Sequence, residues 1–213
     1  MTPNAPRRNL KPSRVSLIGG PLTRFILLAL AWLPVTFAIW YFAAPILLWP
    51  AYLLIDLVAR TGFADLVRSV DLAAATAAFT TTLRPGSAQA GGAVSVDVNI
   101  LLYAFGLPLF GALTLAARQR DWWRVLALGY VVLLPFIAWG VLADFLKNIA
   151  ITASPLIASQ TGFSAWQREV IAFAYQFGSL ILPAVVPAIV WVLTHRKFLE
   201  RLGDRRAIAK ASG

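Results

Sequence analysis

Four apolar runs without Asp, Glu, Lys, Arg or His constrain this chain more than any other feature: 25–55, 98–117, 125–143 and 170–194. A helix crossing about 30 Å of hydrocarbon needs roughly 20 such residues, and each run meets that length or falls one short of it. With 59% apolar and 13% charged residues in 213, the chain carries more apolar surface than one water-soluble core can hide. A soluble globular enzyme is excluded, and the expected fold class is an all-α integral membrane protein with four transmembrane helices. The first run is too long for a single crossing, since at about 1.5 Å per residue it would reach roughly 46 Å. Pro45 and Pro50 offer breaks, because each removes an N–H and clashes with the preceding turn. The spans are therefore expected at about 24–44, 98–117, 124–145 and 168–194. An interfacial helix is expected over 46–60, where Trp49, Tyr52, Asp56 and Arg60 suit the headgroup level.

Charge sets the expected orientation. Of the 19 Lys and Arg, fourteen fall in or beside the N-terminal arm, the loop between the second and third spans, and the tail. The remainder are Arg60, Arg68, Arg84, Lys147 and Arg168. By the positive-inside rule the arm (1–23) and tail (202–213) are cytoplasmic, flanking a single membrane domain over 24–201 with an extracytoplasmic insert at about 61–97. The net charge of +10 flanks apolar segments, so it reads as topology; no nucleic-acid partner is expected. The basic arm before an apolar run also resembles a signal peptide. The only small-residue cleavage candidate, Ala43-Ala44, is followed by Pro45 and by further apolar chain, so an uncleaved anchor is expected.

The insert has a different texture. Phe79-Thr80-Thr81-Thr82-Leu83-Arg84 is rich in β-branched residues. From Ala93 to Asn99, Val94, Val96 and Val98 alternate with Ser95, Asp97 and Asn99. The Gly- and Ala-rich stretch at 85–92 is turn-forming, so a small β-hairpin is expected to lead into the second span. Two strands alone are marginal in water, and the helical region at 46–70, the loop after the third span or another protein must cover them. That later loop, 145–167, contains Pro155 and Gly162 and is too interrupted for a fifth crossing. Ser164 is expected to cap the last helix, with Glu169 near its first turn.

Polar residues gather where the spans meet the outer face. Asp97 and Asn99, with Tyr103 after them, open the second span either as a ligand contact or as a helix cap with an interfacial tyrosine. Asp144 and Lys147 are three apart, share a helix face and can pair. Trp166, Gln167, Arg168 and Glu169, with Tyr175 and Gln176 two turns deeper, form the most polar entrance of any span, as docking site or as interfacial anchor. These eleven residues are the expected partner-binding set. His195, beside Arg196 and Lys197, reads as a flanking polar residue or cation. The absence of Cys and the single His exclude disulfides, thiol nucleophiles, Cys/His zinc sites and haem ligation by several histidines. No nucleophile stands with a base and an orienter, so no enzyme activity, metal or cofactor is expected. Gly106 and Gly111, with Ala104 and Ala112, offer small surfaces for close helix approach.

Several phrases carry a family resemblance: Val98-Asn99-Ile100-Leu101-Leu102-Tyr103-Ala104-Phe105-Gly106-Leu107-Pro108-Leu109; Trp139-Gly140 ahead of Asp144 and Lys147; Gly162-Phe163-Ser164-Ala165-Trp166-Gln167-Arg168-Glu169; then Tyr175-Gln176 and Leu182-Pro183-Ala184. The chain resembles the exosortase H-associated membrane proteins of Gram-negative bacteria over about 24–201. Ile100 departs from the proline expected there, and the N-terminal arm is private to this sequence. The resemblance implies a small inner-membrane accessory of a sorting system, in which a multi-span transpeptidase-like enzyme processes C-terminal tails. That enzyme uses Cys, Arg and His, so a chain without Cys is its companion. The implied partners are membrane lipids and either the exosortase-type enzyme or its sorting-tail substrate. A small transporter or lipid-handling protein is the alternative, motivated by Pro108, Pro135, Pro183 and Pro187 inside spans.

Overall fold

A computed structural model describes residues 20–85 and 92–200. The expected tail, most of the expected arm and most of the 85–92 turn lie outside the described residues. Among the described residues three helices are long and apolar enough to cross a membrane: Leu22–Phe42, Trp122–Thr152 and Ala165–Thr194. The fourth apolar helix, Leu101–Ala116, is shorter. Its sixteen residues reach about 24 Å.

The order along the chain is α1 (Pro21–Phe42), α2 (Ala44–Leu47), α3 (Trp49–Gly62), β1 (Val67–Ala73), β2 (Thr76–Thr81), β3 (Ser95–Asn99), α4 (Leu101–Ala104), α5 (Gly106–Ala116) and α6 (Trp122–Lys147). A π-helical turn, Asn148–Thr152, then leads to α7 (Pro155–Gln160) and α8 (Ala165–Gln176), and a second one, Phe177–Ile181, leads to α9 (Leu182–Thr194). Pro45 and Pro50 do divide the first apolar run, by occupying the first turns of α2 and α3, where a missing N–H costs nothing. The second π-helical turn lies immediately ahead of Pro183, which has no N–H to give the preceding turn.

Two expectations are corrected here. The fold is not purely helical with a hairpin: the sheet has three antiparallel strands in the order β1-β2-β3. The expected hairpin is the β2–β3 pair, with Phe79 opposite Val96 and Ala77 opposite Val98. The chain at 67–73, expected within the helical region, supplies the third strand. A bulge between Val67 and Ser69 puts the buried residues Val67 and Val70 three apart, which imitates a helix. The second apolar helix also starts later than expected, since Val98 and Asn99 belong to β3.

The sheet packs against the helices. Leu48, Ala51, Ile55 and Ala59 of α2–α3 join Val67, Val70, Ala77, Phe79 and Val98 of the sheet, Val141 and Phe145 of α6, and Ile149 of the π-helical turn after it in one buried cluster. The Tyr52 hydroxyl donates to the Val70 carbonyl at 2.8 Å. Elsewhere small residues set the helix spacing. A Cβ on Gly106 would stand 2.5 Å from the Pro183 carbonyl oxygen and against the Pro187 ring, one on Gly129 would enter the Phe110 ring, and one on Gly140 the Tyr103 ring. On Gly111, which faces Thr36 of α1, a Cβ would meet the threonine methyl carbon at an ordinary 3.5 Å. Without a hydrophobic drive between helices in lipid, such close approach replaces it.

Candidate functional site

The last turn of α6 presents Asp144, Lys147 and Asn148 on one face, at spacings of three and four. Lys147 Nζ lies 3.1 Å from Asp144 Oδ1 and 4.2 Å from the centroid of the Tyr175 ring. Asn148 Nδ2 donates to Asp144 Oδ1 at 3.1 Å and to the Asp144 carbonyl at 3.0 Å. The Tyr103 ring, 4% exposed, covers Gly140, one helical turn before Asp144. The ammonium is thus held by a carboxylate and an aromatic face, with a cation–π contribution of about 0.5 to 2 kcal/mol depending on desolvation. The structure brings together four of the expected residues, Tyr103, Asp144, Lys147 and Tyr175, from three helices. Tyr103 is a packed core residue here, not an interfacial one.

The other expected residues form a rim or stand apart. Ser164 and Gln167 make a reciprocal capping box at the start of α8, with Gln167 N donating to Ser164 Oγ at 3.3 Å and Ser164 N to Gln167 Oε1 at 2.8 Å. This bears out Ser164 as the cap and ties Gln167 to it. Trp166 is 71% exposed beside that cap. Asn99 accepts from Leu101 N at 3.0 Å, a local cap at the strand-to-helix junction; Asp97 and Gln176 are exposed. Arg168 turns toward α7, where Nη2 donates to the Ala158 carbonyl at 3.4 Å, and with Glu169 it lines a separate groove of about 440 Å³. Glu169 is the fifth residue of α8, so the first turn holds no acidic residue and the expected dipole contact is corrected.

Two amides escaped sequence reading. Asn148 sits one helical turn after Asp144, a spacing that was open to inspection. Gln160 was not open to it: its side-chain amide donates to the Arg84 carbonyl and accepts from Arg84 N, both at 3.0 Å, a pairing across 76 positions that fastens α7 to the end of β2.

A family model described as exosortase H-associated membrane protein matches residues 19–198. The chain belongs to that family. No curated protein and no solved structure matches it.

In this exosortase H-associated protein one space between the helices is small and apolar. The space bounded by Tyr103, Gly106, Ile137, Pro183 and Pro187 amounts to about 10 Å³ with no polar surface, about one water's worth. At the opposite end of the bundle His195 is corrected from a flanking residue to a buried one, 0% exposed. Its ring stacks on Trp191 at 4.9 Å, and Trp191 in turn stacks on Phe25 at 5.4 Å. Nδ1 lies 3.0 Å from both the Trp191 carbonyl and Thr194 Oγ1, while Nε2 is buried without a partner among the described residues. Burial pushes the imidazole pKa down, and the hydrogen bond to the Trp191 carbonyl opposes that only in part.

Proposed function

We propose that this protein is a non-catalytic inner-membrane accessory that binds an exosortase-type sorting enzyme or its C-terminal sorting-tail clients. Four spans carry the domain, with Leu101–Ala116 as the short one entered from the sheet, α2–α3 at the interface, and both termini cytoplasmic. The reading places Lys147, held by Asp144 and Tyr175 over Tyr103, at the centre of a docking face. Asp97, Asn99, Trp166, Gln167 and Gln176 then make its rim. The observation that carries it is the convergence of that cluster with the sheet on one end of the bundle: Phe145, between Asp144 and Lys147, stacks on Phe79 of β2. A half-buried cation ringed by exposed polar and aromatic groups suits recognition of carboxylates or backbone carbonyls. A transporter would need a polar or hydrated midplane, whereas the space between the helices bounded by Tyr103, Gly106, Ile137, Pro183 and Pro187 is apolar and about 10 Å³.

The test is co-purification of the co-expressed exosortase with the full chain. Asp97→Ala and Trp166→Ala alter exposed side chains, so both variants stay inserted at wild-type levels while the recovered enzyme falls about tenfold for the pair, some 1.4 kcal/mol. Wild-type recovery in the double variant would overturn the docking face.

A further inference from the structure

Between α7 and the start of α8 the groove of about 440 Å³ is walled by small apolar residues, Ala150, Ala153, Ala158 and Ala172 among them, with Arg168 and Glu169 its charged lining. Arg168 is half-buried, its Nε is shut off from solvent with no acceptor among the described residues, and Nη2 makes a long hydrogen bond of 3.4 Å. A guanidinium offers its donors as a fork suited to phosphate or carboxylate oxygens, and leaving one donor buried and unmatched is costly. Among the described residues neither Arg168 nor Glu169 has an ion-pair partner. The groove opens at the first turns of the apolar helix Ala165–Thr194, beside the exposed Trp166 and above the exposed Val170 and Phe173. That is where headgroups meet acyl chains.

We propose that this groove is a binding site for an ethanolamine phospholipid. The phosphate takes Nη donors of Arg168, the ammonium pairs with the Glu169 carboxylate, and the glycerol and upper acyl carbons lie along the alanine wall. Charge complementarity selects this class. One cation beside one anion matches a zwitterion, while a purely anionic headgroup meets repulsion from Glu169, and a quaternary ammonium cannot donate a hydrogen bond to it. The groove lining does not include Asp144, Lys147 or Tyr175, and its test does not involve the sorting enzyme.

The experiment is native mass spectrometry of the purified full chain in detergent, incubated with equal amounts of dioleoyl phosphatidylethanolamine, phosphatidylglycerol and phosphatidylcholine. Phosphatidylethanolamine is retained about fivefold or more above the other two, a difference near 1 kcal/mol. Glu169→Gln brings phosphatidylglycerol level with it. Arg168→Gln lowers retention of all three about tenfold, and Ala172→Phe, which fills the groove without touching the charges, does the same. Equal retention of phosphatidylethanolamine and phosphatidylglycerol by the wild type would overturn the proposal. So would unchanged retention in both Arg168→Gln and Ala172→Phe, or capture of a polypeptide in place of lipid by a photoreactive residue at Ala153 in membranes.

Discussion

The rings of Phe79, on the central strand, and Phe145, in the last turn of α6, stack with centroids 4.2 Å apart and planes 17° apart. Both are fully buried, and through them the sheet grips the helix end that carries Asp144 and Lys147. Replacing Phe79 by Ala removes the ring and leaves a cavity, at a cost of about 3 to 5 kcal/mol. Thermal unfolding in detergent should show a marked drop for Phe79→Ala and a smaller one for Phe79→Leu. An unchanged melting temperature would mean that the sheet does not support α6.

Gly106 touches the backbone and ring of two prolines on α9. Those contacts cannot yield as a flexible side chain would, so Gly106→Leu should sharply lower the yield of folded protein in detergent. Gly111→Ala, with Thr36 methyl carbon at 3.5 Å, should be tolerated. The comparison reads directly as the ratio of monodisperse protein recovered by size-exclusion chromatography.

His195 makes stability depend on pH in a definite direction. Its folded pKa lies below the unfolded value of about 6.5, so below that pH the unfolded chain binds a proton that the folded chain refuses. The contribution is complete above about pH 6.5 and is lost as pH falls from there toward the folded pKa. His195→Phe keeps a ring in the aromatic cluster and removes the titration. The melting temperature of the wild type should therefore fall more between pH 7.5 and pH 5 than that of the variant; parallel curves would show that His195 does not titrate on unfolding.

The orientation is checked by reporter fusions. Fusions after Gly213 and within 118–124 should report only a cytoplasmic location, and one at Gly91 only a periplasmic one, because fourteen of the nineteen Lys and Arg flank one side. A periplasmic C-terminus would remove Leu101–Ala116 as a span.

Local order in the chain determined a good deal. The uncharged runs mark the helices because burying charge in hydrocarbon is expensive, and Trp122–Thr152 and Ala165–Thr194 fall where those runs do. Ser164 and Gln167 make a cap that depends on four consecutive residues, and Asp144 with Lys147 needs only one helical turn. Alternation in 93–99 disclosed β3 because that strand has one covered face and one open face. Tertiary structure decided the rest. β1 was hidden by its bulge and by a turn at Ala74 and Ala75 without the usual glycine or asparagine; Ala74 is held at φ 56°, a conformation that alanine accepts only when the surrounding pairing enforces it. The cation–π contact of Lys147 with Tyr175, the clasp of Gln160 on Arg84, the burial of His195 and the turning of Arg168 away from the rim all depend on which helices lie side by side. In lipid that choice is made by the fit of small residues against rings and backbone, at Gly106, Gly129 and Gly140. Hydrophobic periodicity carries no record of it, because the outer faces of these helices are as apolar as the inner ones.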